Sequence, residues 1–190
     1  MDVLNKSQWQ ILHDLLKENP IKGITLDEVY DPYYGQGFLL KEICGKYRFE
    51  HFRAVSGNRD TRIDKLGLIG VASLDLKDTR VTLTEGVSDF ISYKITHLNQ
   101  NVLGFTTLSG SKTAKYIVKN LFSSFKVIID NDYGKKNNTG VLNANKILST
   151  IGTHGNVEIV MPDGSFKDFT EQFIFDLKLN NGVVEGLYSS

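Results

Sequence analysis

From Arg80 onward the chain alternates between two rhythms. Short apolar runs rich in β-branched residues occur at Val81–Thr84, Val102–Thr107, Lys126–Ile129 and Val157–Met161. Between and after them, Val87–His97, Lys112–Phe122, Leu142–Ile151 and Phe169–Leu177 carry apolar residues at helical spacing. Strands that alternate with helices have few ways to bury both sheet faces. They lie parallel, and the helices cross over them. The pattern predicts an α/β core over 80–178, with a mainly parallel central sheet flanked by helices.

The first 79 residues read differently. Ser7–Lys17 is an amphipathic helix through Trp9, Ile11, Leu12, Leu15 and Leu16, and Asn19-Pro20 stops it. Ile21–Gly37 reads as turn-rich and Phe38–Ile43 as a short helix. Tyr47–Val55 reads as a strand, Ser56–Asp60 as a loop, and Leu66–Val71 as a short strand or turn. Together they predict a small α+β subdomain over 1–79, ahead of the core at 80–178, with a loosely held tail at 179–190.

Composition narrows the function. Lys plus Arg and Asp plus Glu both number 22, so the formal net charge is zero. That excludes a basic coat that binds nucleic acid by charge alone, and leaves local patches. The one cysteine, Cys44, allows neither an internal disulfide nor a thiolate zinc site. The four histidines are scattered without ligand spacing. No apolar run reaches membrane-spanning length and no signal pattern opens the chain, which predicts a cytoplasmic protein with no membrane partner.

The chemistry-bearing residues are acidic and sit where strands end. Glu85 closes one apolar run, Gly86 follows, and Asp89 comes one helical turn later. Asp130 and Asp132 close the most apolar run, with Gly134 behind them. Alternate residues of an extended segment share a face, so Asp130 and Asp132 can meet one ion. Carboxylates at the open edge of a parallel sheet suit a hard divalent cation, and such a cation suits phosphate chemistry. The plainer reading is helix or turn capping, for Asp89 above all. Two acidic strand ends in succession, each with a glycine close behind, fit capping poorly.

Glu85-Gly86-Val87-Ser88-Asp89, followed about 40 residues later by Ile128-Ile129-Asp130-Asn131-Asp132, resembles the Toprim domain of primases, topoisomerases and some nucleases. The resemblance is to bacterial and phage-type DNA primases in particular. Leu108-Ser109-Gly110-Ser111 looks like the glycine-rich turn after the second strand. Lys167-Asp168-Phe169-Thr170-Glu171 resembles the K-D-x-N-E segment. Phe52-Arg53-Ala54-Val55 and Lys65-Leu66-Gly67-Leu68 look like the end of the basic subdomain that precedes Toprim in primases.

The resemblance implies a magnesium site, with manganese able to substitute, made by Glu85, Asp130, Asp132 and Asp168. Glu85, Asp89, Asp130 and Asp132 would be catalytic. It implies synthesis of short RNA primers on single-stranded DNA from ribonucleoside triphosphates, in a phage or mobile element within a bacterial host. A separate replicative helicase or zinc-binding primase module would be a partner, since the chain holds neither a Walker loop nor a cysteine zinc site. Arg53, Lys65, Lys46, Arg48, Ser109 and Gly110 would contact nucleotide or DNA. A Toprim nuclease and a non-catalytic replication subunit stay open as alternatives.

Two upstream features have a second reading. Lys46-Tyr47-Arg48-Phe49-Glu50-His51-Phe52-Arg53 interleaves cations and rings, which suits stacked bases and phosphates. It equally suits an amphipathic strand with Tyr47, Phe49 and His51 on one face. Asp31-Pro32-Tyr33-Tyr34-Gly35-Gln36-Gly37 resembles the D-P-x-x-G-x-G motif of DNA methyltransferases. Thr25–Tyr30 before it makes a poor buried strand, and no N-P-P-Y or D-P-P-Y tetrapeptide follows, so a glycine-rich turn is the reading retained.

Overall fold

A computed structural model describes residues 6–56, 59–63 (backbone only), 66–106, 111–131, 142, 144–146, 148–149 and 156–180. Helix α1 (Gln8–Glu18) opens it. Its N-cap Ser7 accepts from the Gln10 N–H, and Asn19 ends it ahead of Pro20. Four strands follow as an antiparallel meander: β1 (Ile24–Asp31), β2 (Gly35–Cys44), β3 (Tyr47–Ala54) and β4 (Arg59–Ile63), in that spatial order.

This sheet corrects three expectations. The turn-rich stretch after Ile21 contains an eight-residue strand. Phe38–Ile43 is strand, not helix: Phe38, Leu40 and Glu42 are buried on one face, and β2 pairs with β1 over Gly35–Glu42 and with β3 over Gly37–Cys44. Leu39, Leu40 and Ile43 also fit helical spacing, and a glutamate at a buried position hides the alternation. Arg59 and Asp60, expected in a loop, belong to β4.

The second sheet has the order β5-β7-β6-β8-β9, with β5 (Leu68–Ile69), β6 (Arg80–Glu85), β7 (Val102–Phe105), β8 (Ser124–Ile128) and β9 (Asn156–Val160). β6, β7, β8 and β9 run parallel, and β5 adds an antiparallel edge. Helix α2 (Val87–Thr96) links β6 to β7, and α3 (Lys112–Leu121) links β7 to β8. The described residues between 142 and 149 are helical, and α4 (Phe169–Asn180) follows β9.

Alternation along the parallel strands splits the core between the two sheet faces. Leu83, Leu103, Phe105, Phe125 and Val127 pack with Ala114 and Val118 of α3. Val102 and Ile128 face the other way and join Val87, Phe90 and Ile91 of α2. The meander adds Leu26, Phe38, Leu40 and Phe49 to this same cluster, so both sheets share one core. Helix α1 lies against α4, with Ile11 and Leu15 meeting Phe173, Ile174 and Leu177. Among the described residues no helix is long and apolar enough to cross a membrane.

Two polar contacts lock the meander to the second sheet. The Tyr47 hydroxyl donates to the Leu68 carbonyl. Glu42 is fully buried and accepts the backbone N–H groups of Gly70 (3.0 Å) and Ala72 (2.7 Å). Burial outweighs those two donors and raises the Glu42 pKa. Replacing Glu42 with Ala should lower the free energy of unfolding by about 1–3 kcal/mol for each N–H left buried without an acceptor. Denaturant unfolding of Glu42→Ala against the wild type checks this; an unchanged midpoint would remove the contact from the account.

Candidate active site

The strand order fixes the site. The chain leaves β6 for β7 on one side, then returns to place β8 on the other side of β6. The carboxyl ends of β6 and β8 therefore flank a switch point, where open α/β sheets form a crevice. Thr84 pairs with Ile128 in parallel register. Glu85 stands one residue beyond that pair and Asp130 two beyond it.

Gly86 makes the turn out of β6. Its φ of 118° lies in the region that favours glycine, and it is the N-cap of α2 with no side-chain cap. Asp89, in the first turn of α2, is free to do something other than cap its own helix. Only 3% exposed, it accepts at Oδ1 from the backbone N–H (3.0 Å) and hydroxyl (2.6 Å) of Thr170 in α4. Asp89 thus does not cap its own helix, whereas Asp168 caps the next one. Asp168 precedes α4, and its Oδ1 accepts from the Glu171 N–H at 2.8 Å. Glu171 Oε2 in turn accepts from the Lys167 N–H at 2.7 Å, a close variant of the capping box. The Lys167 carbonyl accepts from the Asn131 N–H at 2.6 Å, which ties the end of β8 to the start of α4.

These contacts bring Glu85, Asp89, Asp130 and Asp168 within electrostatic reach of one another. Burial raises the Asp130 pKa to about 8, with repulsion from Asp89, Glu85 and Asp168 adding to it and Lys167 opposing it. Burial also raises Asp89 to about 6, against the hydrogen bonds from Thr170 and with repulsion from Asp168 and Glu85. The Oε2 atom of Glu85 is shielded from solvent.

The donor set fits a hard divalent cation. All four groups are carboxylates, and a positive ion would relieve the repulsion that raises two of them. Among the described residues no three acidic, histidine or cysteine side chains group closely enough to hold an ion by themselves.

Three of the other expected site residues lie on β3 or in the turn before it. Arg48 and Arg53 sit five residues apart on β3, roughly 16 Å along the strand. The Arg48 guanidinium donates to the carbonyls of Gly45 (2.8 Å) and Tyr47 (2.9 Å), so it braces its own hairpin. Lys46 is exposed in that hairpin turn and Arg53 is half-buried near the far end. Phe49 and Phe52 are buried at 0% and 1% exposure, so neither ring is open to stack on a base. Asp132, Lys65, Ser109 and Gly110 lie outside the described residues.

Sequence reasoning missed Thr170 and Gly104. Thr170 stands where the K-D-x-N-E pattern has asparagine, and only the fold shows that it reaches Asp89. A Cβ on Gly104 would lie 2.8 Å from Ile69 and Phe90 atoms and 3.0 Å from the Gly86 carbonyl, so glycine there lets β7 pack against the turn before α2. A hollow of about 310 Å³ beside the cluster is lined by Lys6, Lys167, Asp168, Glu171 and Lys178 among others. A larger one, about 400 Å³, lies at the opposite edge of the sheet around Arg80, Asn101 and Lys126, and holds none of the carboxylates.

No protein-family model matches the sequence, and no curated protein matches it. Solved structures do match. A DNA primase domain from Pseudomonas aeruginosa superposes with a TM-score of 0.57 at 12% identity, over 84% of this chain and 56% of that one. A bacteriophage T7 structure, in which lagging-strand DNA polymerase interacts with primase domains bound to an RNA/DNA hybrid and dTTP, gives 0.60 at 14% identity, over 90% and 82%. The E. coli primase catalytic core gives 0.57 at 11% identity, over 94% and 75%. This chain therefore has the fold of DNA primase catalytic domains. It spans a little over half of the Pseudomonas domain's length.

The raised carboxylates set the pH dependence of metal-free stability. A carboxyl whose folded pKa exceeds its unfolded value contributes stability below the unfolded pKa and loses it as pH rises through the folded one. The unfolded reference is 3.8, so Asp89 loses its share up to about pH 6 and Asp130 up to about pH 8. With a chelator present, the melting temperature should fall as pH rises from 5 to 8, and Asp130→Asn should flatten the upper half of that fall. Magnesium should restore the wild type at pH 8 and leave Asp130→Asn little changed. A melting temperature independent of both pH and magnesium would contradict the cluster.

Proposed function

We propose that the chain is a primase-like nucleotidyltransferase that makes short RNA primers on single-stranded DNA. The observation that carries this reading is the set of four mutually repelling carboxylates at the switch point of a fold shared with primase catalytic domains. Glu85, Asp130 and Asp132 would hold magnesium or manganese, with Asp89 and Asp168 completing the acidic ring. The bound cation would lower the pKa of the primer's 3′-hydroxyl and stabilise the departing pyrophosphate.

In the reaction, the 3′-oxygen bonds to the α-phosphorus of a ribonucleoside triphosphate. The α–β phosphoanhydride breaks, and pyrophosphate leaves. The hydroxyl proton would pass to Glu85 if that residue acts as general base instead of metal ligand. Asp89 and Asp168, both anchored to α4, fix the far wall of the site. Arg53, Lys65, Lys46 and Arg48 would neutralise phosphates of template and nucleotide, and Ser109 and Gly110 would face the triphosphate. The reading also carries a replicative helicase or a zinc-binding module as partner, a phage or mobile-element origin, and work in the bacterial cytoplasm.

Incubation with single-stranded DNA, all four ribonucleotides and magnesium tests the proposal. Oligoribonucleotide products should appear and should fall by at least about 100-fold in Asp130→Ala, the scale of losing several kcal/mol of transition-state stabilisation. Shortening of the DNA without RNA products would replace synthesis by a nuclease activity. Neither product would leave a non-catalytic subunit.

A further inference from the structure

We propose that Thr170 is a positioning residue for the acidic site, holding Asp89 in place, with Ser92 setting the direction of the Thr170 hydroxyl. The inference rests on the metal-dependent reading above and names a residue that reading does not use.

Three features of the contact carry it. Thr170 is fully buried, and both of its donors converge on the same atom, Oδ1 of Asp89. A carboxylate oxygen held by two donors cannot swing about its side-chain bonds, so the position of the other oxygen is fixed with it. The backbone donor belongs to the first turn of α4, among the N–H groups that have no partner within the helix. Asp89 therefore sits at the positive end of a twelve-residue helix, where a carboxylate is favoured. Behind the hydroxyl, Ser92 Oγ lies 3.2 Å from Thr170 Oγ1 and 3.0 Å from the Ser88 carbonyl. Thr170 donates its single hydroxyl proton to Asp89, and the single Ser92 proton is shared between the Ser88 carbonyl and the Thr170 oxygen.

The contact joins residues 81 positions apart, across two helices that carry different members of the acidic cluster. Asp168 caps α4 and Asp89 rides on α2. A shift of α4 relative to α2 would carry Asp168 away from Asp89, and the Thr170 contact opposes it.

Manganese binding by titration calorimetry, without nucleotide, separates positioning from packing. The comparison uses wild type, Thr170→Val, Thr170→Ser and Ser92→Ala, each checked for cooperative unfolding. Thr170→Val keeps the shape and the backbone donor but loses the hydroxyl, and should weaken manganese binding by about 10-fold or more, the range seen for groups that orient metal ligands. Thr170→Ser keeps the hydroxyl and should bind within about 3-fold of the wild type, whatever its melting temperature. Ser92→Ala should fall between the two. A residue that only packs would show lower melting temperatures with no difference in affinity between Val and Ser.

Folded Thr170→Val that binds manganese like the wild type overturns the inference and leaves the metal reading standing. If Thr170→Val does not fold, unchanged affinity in Ser92→Ala overturns it instead. A wild type that binds no manganese overturns the metal reading and this inference with it.

Discussion

The acidic edge depends on the parallel pairing of β6 with β8. That ladder, from Arg80–Ser124 to Thr84–Ile128, sets two strand ends side by side at the one point where the chain reverses its direction across the sheet. Glu85 and Asp130 follow from it without further instruction. Their neighbours come from elsewhere in sequence: Asp89 on the helix leaving β6, and Asp168 from the turn entering α4. No local segment could assemble this set. The ladder is held by the core on both its faces, with Leu83 and Val127 toward α3 and Ile128 toward α2.

Such a gathering opposes folding. Each carboxylate loses hydration, and each ionised one repels the rest. The fold offsets part of this with dipoles: the N-terminus of α4 receives Asp89 through the Thr170 N–H and Asp168 through the Glu171 N–H. What remains appears as raised pKa values at Asp89 and Asp130. A bound cation would remove that residue of strain, which would link binding and stability at this edge. Folds that hold such a site carry a cost in the absence of the ion, and the cost is informative about what the site is for.

The second half of the chain was readable because its central strands are mostly buried and its helices keep their spacing. Burial dominates there, and periodicity reports burial. The meander was less readable for the same reason. Glu42, buried to accept the N–H groups of Gly70 and Ala72, breaks the alternation that would have marked β2 as a strand. Glu85, Asp89, Asp130 and Asp168 could be picked out as a set, but not their division of labour. Capping was the plainer alternative for Asp89, yet the fold gives a cap to Asp168 and ties Asp89 to Thr170. That exchange is decided by a contact across 81 residues, to which spacing is blind. The strand Tyr47–Ala54 shows the reverse case: its interleaved rings suggested a stacking surface, and the register buries Phe49 and Phe52 instead.

The central claim is that these carboxylates exist to hold a divalent cation. Anomalous diffraction from crystals soaked in manganese tests it most directly. The account predicts a manganese peak bounded by Glu85, Asp130 and Asp132, and no such peak in Asp130→Asn crystals grown and soaked in the same way. Crystals that take up manganese elsewhere, or nowhere, while these carboxylates stay ordered would contradict it.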